Sequence, residues 1–310
     1  MNEFQLIKRL TQSLATNPAV VVGPGDDCAV LDLGVPGQRF LLKTDAVVEG
    51  IHFTRETPPE KIGRKALARG LSDLAAMAGT PIAALVTLAL PKDFDPDQVA
   101  AIYAGMNALA REFSVAIVGG ETTTNPGGLL ISIALLGSAT AGRIPLRSGA
   151  RVGDGIFVSG TLGGSMAGHH LDFTPRLAEA RWLVEHFAIH AMIDVSDGLA
   201  GDLRHLLHAA SVGAVLLKTS IPVSQAAKAA ARVGTNAKPA VLAALTDGED
   251  FELLFTAAPG DAVALLDGWK QQFPDTKLTC IGKIVAGEGI RLNDRYSSQL
   301  FHGDGYVHFA

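Results

Sequence analysis

Two patterns of hydrophobic residues divide the first half of the chain into helices and strands. Apolar residues spaced three or four positions apart predict helices, and short apolar runs bounded by Gly and Pro predict strands. The helical spacing is clearest over Glu60–Ala78, and it stops at Gly79 and Pro81. The predicted helices are Met1–Leu14, Glu60–Ala78 and Asp95–Phe113. The predicted strands are Ala19–Gly23, Ala29–Leu33, Phe40–Val48, Ile82–Leu90, Val115–Val118 and Leu129–Leu136.

The second half repeats this mixture after a stretch rich in Gly and Arg, Ala139–Gly155, which is the predicted boundary. Its predicted helices are Pro175–His186, Leu199–Ala210, Val223–Val233 and Asp261–Phe273. Its predicted strands are Ile156–Ser159, Ala191–Val195, Ala214–Leu217, Phe251–Phe255 and Leu278–Ile284. Helices and strands in both halves predict a mixed α/β protein of two domains, residues 1–145 and 146–310.

Composition and charge narrow the class of protein. The 310 residues are 48% hydrophobic and 18% charged, which suits a compact chain with a sizeable core. A net charge of −5 without a basic cluster argues against nucleic-acid binding. The two cysteines, Cys28 and Cys280, form neither a disulfide framework nor a zinc motif. No signal peptide or membrane span is visible in the sequence, so we expect a cytoplasmic protein without membrane partners.

Carboxylates gather at predicted strand ends and Gly turns. They occur in GPGDDCAV, KTDAVVEGIHF, LSDLAAMAG, VGGETT, IDVSDGL and DGEDFELLF. Mg²⁺ is held by a few carboxylates together with substrate phosphates, and strand ends meet at one edge of a sheet. Any one of these acids is more often a turn or capping residue. Asp73 differs because it lies inside a predicted helix, where a functional role and an ion pair with Arg69 are equally good explanations.

Known phosphate-binding motifs are missing. The chain has no G-x-x-x-x-G-K-[ST] and none of the protein-kinase motifs. The Gly-rich segment Gly160–Gly164 lacks a lysine and is a weak signal. Gly119 and Gly120 either present backbone N–H groups to a phosphate or simply form a turn that ends a strand. Phosphate binding through metal ions therefore fits this acidic chain better than a phosphate-binding loop.

Taken in order, the motifs resemble the thiamine-monophosphate kinase family of the aminoimidazole-ribonucleotide-synthetase-like superfamily. The resemblance runs along nearly the whole chain through GDDCAV, TDxxVEGxHF, LSDLAAMAG, GGET, RSGA, DVSDGL, DGEDFELLF and GYVHF. It implies a two-domain synthetase-like fold, with N-terminal domains that pair into a homodimeric β-barrel and a C-terminal α/β domain. It also implies direct phosphoryl transfer from ATP to thiamine monophosphate, assisted by several Mg²⁺ ions.

The resemblance also assigns roles to individual residues. The implied metal ligands are Asp27, Thr44, Asp45, Asp73, Glu121, Asp194 and Asp197. The implied ATP contacts are Tyr103, Gly119, Gly120, Arg147 and Ser196. The implied contacts with thiamine monophosphate are His52, Glu249 and Tyr306. Apart from this ordered context, His52 is as well explained as a buried strand histidine, Tyr103 as a core residue and Tyr306 as a packing anchor.

The chain departs from the family pattern at three places. Lys43 stands where the family usually has Ser, and Glu121 stands where it has Asp. The segment 168–193 is shorter than in the family. We expect these differences to alter the number of bound metal ions. Two alternatives remain open at this point, namely another ATP-using enzyme of the superfamily and a binding protein without catalytic activity.

Overall fold

The chain folds around two sheets, and its computed structural model describes residues 3–233, 237–303 and 305–306. Within these residues the helices are α1 (Glu3–Thr11), α2 (Pro59–Ala76), α3 (Pro96–Glu112), α4 (His169–Asp172), α5 (Leu177–His186), α6 (Leu199–Ala210), α7 (Gln225–Ala230), α8 (Ala240–Thr246) and α9 (Ala262–Gln272). The strands are β1 (Val20–Val22), β2 (Ala29–Leu31), β3 (Gln38–Val48), β4 (Thr80–Leu90), β5 (Ala116–Thr124), β6 (Leu130–Thr140), β7 (Gly155–Ser159), β8 (Ile189–Asp194), β9 (Gly213–Leu217), β10 (Leu253–Ala257), β11 (Leu278–Val285), β12 (Ile290–Asn293) and β13 (Ser298–Phe301).

Each helix and strand predicted from the hydrophobic pattern has a counterpart here. The pattern missed the short helices α4 and α8 and the hairpin of β12 and β13. These elements have four to seven residues, too few to establish a period of either kind. The first sheet ends at Thr140 and the second begins at Gly155, so the division into domains 1–145 and 146–310 stays a prediction.

The first sheet has six strands in the order β1-β2-β3-β6-β4-β5. The pair β4 and β5 is parallel and is connected through α3, whereas the other neighbours are antiparallel. Residues of β6 alternate between fully buried and partly exposed, because one face of the sheet packs against helices. Within the described residues this sheet is open, with β1 and β5 as its edges. The expected dimeric barrel is therefore not confirmed by the single chain.

Helix α2 lies between the two halves of the molecule. It begins with Pro59, whose fixed φ suits the first helical position. On one side it packs against α3 and the first sheet, and on the other against α5 and β8. Lys65 and Asp73 are buried on it despite their charges. A buried charge needs a partner, so these positions point to the contacts between the halves.

The second sheet has seven strands in the order β13-β12-β9-β11-β7-β10-β8. Its pairs are antiparallel except β12 with β9. One face carries the stacked rings of Phe157 and Phe255, with centroids 5.4 Å apart, and joins the core that includes α2. The other face builds a separate core with α6. Strand β8 ends at Asp194, at the edge of the sheet that faces α2.

Strand β5 is longer than predicted, because it runs through Gly119 and Gly120 instead of ending there. Val118 is an extra residue opposite the register shift between Ala84 and Leu85 of β4, so the strand carries a bulge. A Cβ added to Gly120 would lie 1.7 Å from the Val86 carbonyl oxygen. Gly120 therefore permits the close approach of β5 to β4, and neither glycine forms a turn.

We expect Gly120→Ala to lower the free energy of unfolding by about 3 kcal/mol, because the added methyl overlaps backbone that cannot move without breaking the sheet. Gly127→Ala is the matched control, since its Cβ would meet no atom closer than 3.6 Å. Urea unfolding of both variants measures the difference. Equal stability of the two would show that β5 is not fixed against β4 in this way.

None of the helices in the described ranges is long and apolar enough to cross a membrane.

Candidate active site

Three buried aspartates meet where the two halves of the molecule join. Asp27 lies in the connection between β1 and β2, Asp73 lies in α2, and Asp194 is the last residue of β8. One carboxylate oxygen from each lies within 4.8 Å of the others. Beside them is a cavity of about 170 Å³. Its lining residues are Lys43, Asp45, Arg69, Asp73, Asp194, Ser196, Asp197 and Phe251.

The cluster is electrostatically strained when it holds no cation. Burial, with the charge of Asp27, raises the pKa of Asp194 to about 7, although the Ser72 hydroxyl donates to it over 2.6 Å. Burial also raises the pKa of Asp73 well above its usual range. Three carboxylates so close together resist simultaneous ionisation unless a cation is bound among them. The donor set is all oxygen, which is the ligand chemistry of Mg²⁺.

Lys43 supplies one positive charge to this cluster. Its ammonium donates to Asp73 Oδ1 over 2.8 Å. Burial lowers the pKa of Lys43, but the charges of Asp73 and Asp45 outweigh it and keep the pKa above its usual value. The partner of Asp73 is therefore Lys43, and the ion pair with Arg69 considered from the sequence is not formed. Lys43 engages only Oδ1 of Asp73, and Asp73 still contributes one oxygen to the group of three acids.

Arg147 neutralises Asp27. It lies in a 3-10 turn (Arg147–Gly149) and donates from Nη2 to Asp27 Oδ1 over 2.5 Å. Its backbone N–H donates to Asp26, whose pKa is raised to about 6 by burial and by the charge of Asp27. A guanidinium at this position lies next to the acid cluster without being one of the cavity-lining groups.

Arg69 connects Asp45 with Glu249. Two of its nitrogens donate to the two oxygens of Asp45, over 2.9 and 3.3 Å, and the third donates to Glu249 over 2.9 Å. Asp45 belongs to β3, and Glu249 belongs to the segment before β10. Arg69 therefore ties the first sheet to the second half of the chain. Sequence reasoning gave Arg69 no role of this kind.

A second cation, Lys65, is completely buried beside Glu249. Its ammonium contacts the Glu249 carboxylate and donates to the His52 carbonyl over 2.6 Å. It also lies 2.8 Å from His170 Nδ1, which is 3.2 Å from Glu249. Burial raises the pKa of Glu249, but the hydrogen bond from His170 and the charge of Lys65 lower it to about 2. Glu249 is thus an ionised carboxylate held by several donors.

His52 is a buried histidine next to this group. Its Nδ1 accepts a hydrogen bond from the Val48 N–H over 3.1 Å. Burial and the charge of Arg69 lower its pKa to about 4, so the ring is neutral near pH 7. His52 is therefore buried and hydrogen-bonded, as the structural explanation from the sequence requires, but it lies in the turn after β3 and not in a strand. Its contact with thiamine monophosphate stays a prediction.

The turn after β8 completes the cavity wall with Ser196 and Asp197. Buried Asp202 accepts from the Asp197 N–H over 3.0 Å and so fixes the turn. The Tyr306 N–H donates to the Asp197 carbonyl over 2.8 Å, which brings the C-terminal segment to the same place. The other residues of the motif GYVHF, Val307 to Phe309, lie outside the described residues.

Thr44 and Glu121 lie on the opposite face of the first sheet. Thr44 pairs with Ala134, and Glu121 pairs with Thr87, in register positions of the exposed face. Asp45, by contrast, pairs with buried Ile133. Since neighbouring residues along a strand point to opposite faces, a single chain does not bring Thr44 or Glu121 to the acid cluster.

Tyr103 and the two glycines of β5 also lie away from the cavity lining. Tyr103 is half-buried on α3 and packs against the hydrophobic core. Gly119 and Gly120 are within β5, where they accommodate the bulge. The predicted ATP contacts of these three residues therefore remain predictions.

The Gly-rich segment Gly160–Gly164 is occupied by the protein's own acids. Both carboxylate oxygens of Asp250 accept from the Gly163 N–H, over 2.9 and 3.0 Å. The Gly164 N–H donates to Asp247 over 3.1 Å. Burial raises the pKa of Asp250 to about 8. Because these N–H groups already have carboxylate partners, this segment is a structural turn and offers no phosphate cradle.

The fold and the acid cluster define a broad class of protein. Residues 25–139 match the family described as AIR synthase related protein, N-terminal domain. The hydrogenase maturation protein HypE of Escherichia coli shares the fold, with a TM-score of 0.72 and 20% identity over 96% of each chain. The part of the chain around the first sheet thus resembles an AIR synthase related domain, and the acidic site lies between this part and the second half.

More similar relatives identify the family. The thiamine-monophosphate kinase of Rhodopirellula baltica is 40% identical over 300 residues, which is 94% of this chain and 92% of the relative. That of Bacillus subtilis is 32% identical over the full length of both chains. The solved structure of AaThiL complexed with AMPPCP and TMP has a TM-score of 0.82 and 31% identity, covering 99% of this chain and 97% of the other. The chain belongs to the thiamine-monophosphate kinase family, and it is a thiamine-phosphate kinase.

Proposed function

We propose that this chain transfers the γ-phosphoryl group of ATP directly to the phosphate of thiamine monophosphate, forming ADP and thiamine diphosphate with Mg²⁺ as cofactor. The cluster of Asp27, Asp73 and Asp194 beside the cavity carries the proposal. Membership of the kinase family supports the reaction. The similarity to AaThiL complexed with AMPPCP and TMP supports ATP and thiamine monophosphate as its two substrates.

The three buried acids are the residues best placed to hold Mg²⁺. When bound, the ion neutralises charge on the triphosphate and on the group in transfer. The acids themselves fix where that charge is neutralised, because they come from three separate parts of the chain, namely the β1–β2 connection, α2 and the end of β8. Thr44, Asp45, Glu121 and Asp197 remain candidate ligands from the resemblance alone.

The remaining groups orient the substrates. Arg147 carries a planar guanidinium at the edge of the cluster, and such a group binds phosphate in a fork. We assign it to the phosphates of ATP, together with Ser196 at the cavity wall. The attacking oxygen belongs to the phosphate of thiamine monophosphate and is ionised near neutral pH. No side chain is therefore needed as a general base.

The working form is proposed to be a homodimer. The outer face of the first sheet exposes apolar side chains, including Leu42 at 46%, Leu85 at 48% and Val118 at 63%. A second copy of the same sheet would cover them and close the expected barrel. That arrangement also gives Thr44 and Glu121 of the outer face a place at a site between subunits.

The test is product formation by the purified protein with ATP, thiamine monophosphate and Mg²⁺. Thiamine diphosphate, separated by chromatography, is expected only when all three are present. ADP release without thiamine diphosphate would reject the proposal.

A further inference from the structure

Arg69 holds Asp45 in a way that affects how many metal ions the site binds. Its guanidinium engages both oxygens of Asp45, over 2.9 and 3.3 Å, as a two-pronged ion pair. The Ala46 N–H donates to Asp45 as well, over 2.8 Å. A carboxylate whose two oxygens both accept hydrogen bonds binds a divalent cation more weakly than a carboxylate that has one oxygen facing other acids.

Arg69 is itself firmly placed. Its third nitrogen donates to Glu249 over 2.9 Å, and its guanidinium carbon lies 5.7 Å from the centre of the Phe251 ring. Only 15% of the side chain is exposed. Movement of Arg69 away from Asp45 would also break its contacts with Glu249 and Phe251. The charge of Arg69 is therefore a fixed feature of the cavity wall.

The acids of the cavity differ in the partner that each one has. Both oxygens of Asp45 accept short hydrogen bonds, one from Arg69 over 2.9 Å and one from the Ala46 N–H over 2.8 Å, whereas Lys43 engages one oxygen of Asp73. Arg147 donates to one oxygen of Asp27 over 2.5 Å and reaches the other only over 3.4 Å. Asp194 has a neutral donor, the Ser72 hydroxyl. A divalent ion approaching Asp45 would meet a guanidinium that is bonded directly to that carboxylate. One approaching Asp194 would meet a carboxylate whose own donor is a neutral hydroxyl, with Lys43 and Arg147 bonded to the neighbouring acids instead.

We propose that Arg69 occupies the position beside Asp45 that a divalent cation would otherwise take. The ions of this chain then bind at Asp27, Asp73 and Asp194 without using Asp45. The inference rests on the proposed function, since it concerns the same site. The role of Asp45 is then to position Arg69. The site binds fewer metal ions than the number of its acidic residues would suggest.

The test counts Mn²⁺ bound in the presence of AMPPCP, using the electron paramagnetic resonance signal of unbound Mn²⁺. Asp45→Asn in the otherwise unchanged protein is expected to keep the same number of tightly bound ions. Arg69→Met is expected to bind one additional Mn²⁺, with at least tenfold higher affinity than any further site of the unchanged protein. Arg69→Met combined with Asp45→Asn is expected to lose that additional ion.

Arg39→Met is the control, because Arg39 pairs with Asp32 at the surface, over 3.0 Å, and should leave the count unchanged. Loss of one ion in Asp45→Asn would overturn the proposal, and so would an equal count in Arg69→Met and the unchanged protein. If Arg69→Met does not fold, the Asp45→Asn count still decides. The analogue is not hydrolysed, so failure to make thiamine diphosphate rejects the proposed function independently of this count.

Discussion

Asp194→Asn is expected to lower kcat by about 10³-fold while leaving the fold intact, because it removes charge from the site where transition-state charge is neutralised. The Ser72 hydroxyl, 2.6 Å from Asp194 Oδ2, can donate to an amide oxygen as well. Since burial and the charge of Asp27 raise the pKa of Asp194 to about 7, ionised Asp194 destabilises the metal-free protein. The variant should therefore unfold at the same temperature as the unchanged protein or higher when Mg²⁺ is removed.

Steady-state kinetics and thermal unfolding in EDTA measure these two effects. Asp172→Asn is the control, because Asp172 pairs with Lys61 at the surface, over 2.6 Å, and should leave kcat within twofold. A loss of turnover together with unchanged stability assigns Asp194 to the reaction. Turnover near that of the unchanged protein would remove Asp194 from the site.

Glu249→Gln is expected to destabilise the protein by about 3–5 kcal/mol, because it leaves the buried Lys65 ammonium without its carboxylate. Glu249 also has a positive φ of 66°, so its backbone conformation depends on the contacts around it. The double variant Glu249→Gln with Lys65→Met should recover most of the loss, since it removes both charges. Urea unfolding of the two single variants and the double variant measures the coupling.

The pH dependence gives a separate check on the same carboxylate. The pKa of Glu249 is about 2 in the folded protein, below its usual value of 4.5. The unfolded state therefore binds the proton first, and the stabilisation from Glu249 is complete above pH 4.5 and lost as the pH falls toward 2. Glu249→Gln should remove about one proton from this dependence. An unchanged acid profile would mean that Glu249 is not held as an anion.

The hydrophobic pattern was sufficient to predict most of the helices and strands, because in a long amphipathic element the spacing of apolar residues shows whether it is a helix or a strand. It failed at Gly119 and Gly120, where the sequence suggested the end of a strand. The deciding contact is the approach of Gly120 to Val86, a residue of another strand. The local sequence carries no information about such a contact, so a bulged strand and a Gly turn cannot be distinguished from the sequence.

The acids of the cluster were predicted by the ordered motifs, but their partners were not. Sequence spacing suggested Arg69 as the partner of Asp73, whereas Lys43 from β3 occupies that position. Lys65 received no role in the sequence analysis. The available signal was that Lys65, Arg69 and Asp73 recur every four residues on a helix otherwise rich in apolar residues. A charged stripe on a buried helix indicates partners that lie elsewhere in the chain.

The most direct test of the account is a crystal structure with Mn²⁺, AMPPCP and thiamine monophosphate, using anomalous scattering to locate the ions. The account predicts Mn²⁺ about 2.1–2.3 Å from oxygens of Asp27, Asp73 and Asp194, with the analogue's phosphates bound to the same ions. The account would be contradicted if the ions and phosphates were bound elsewhere and Asp194 still contacted the Ser72 hydroxyl instead of an ion.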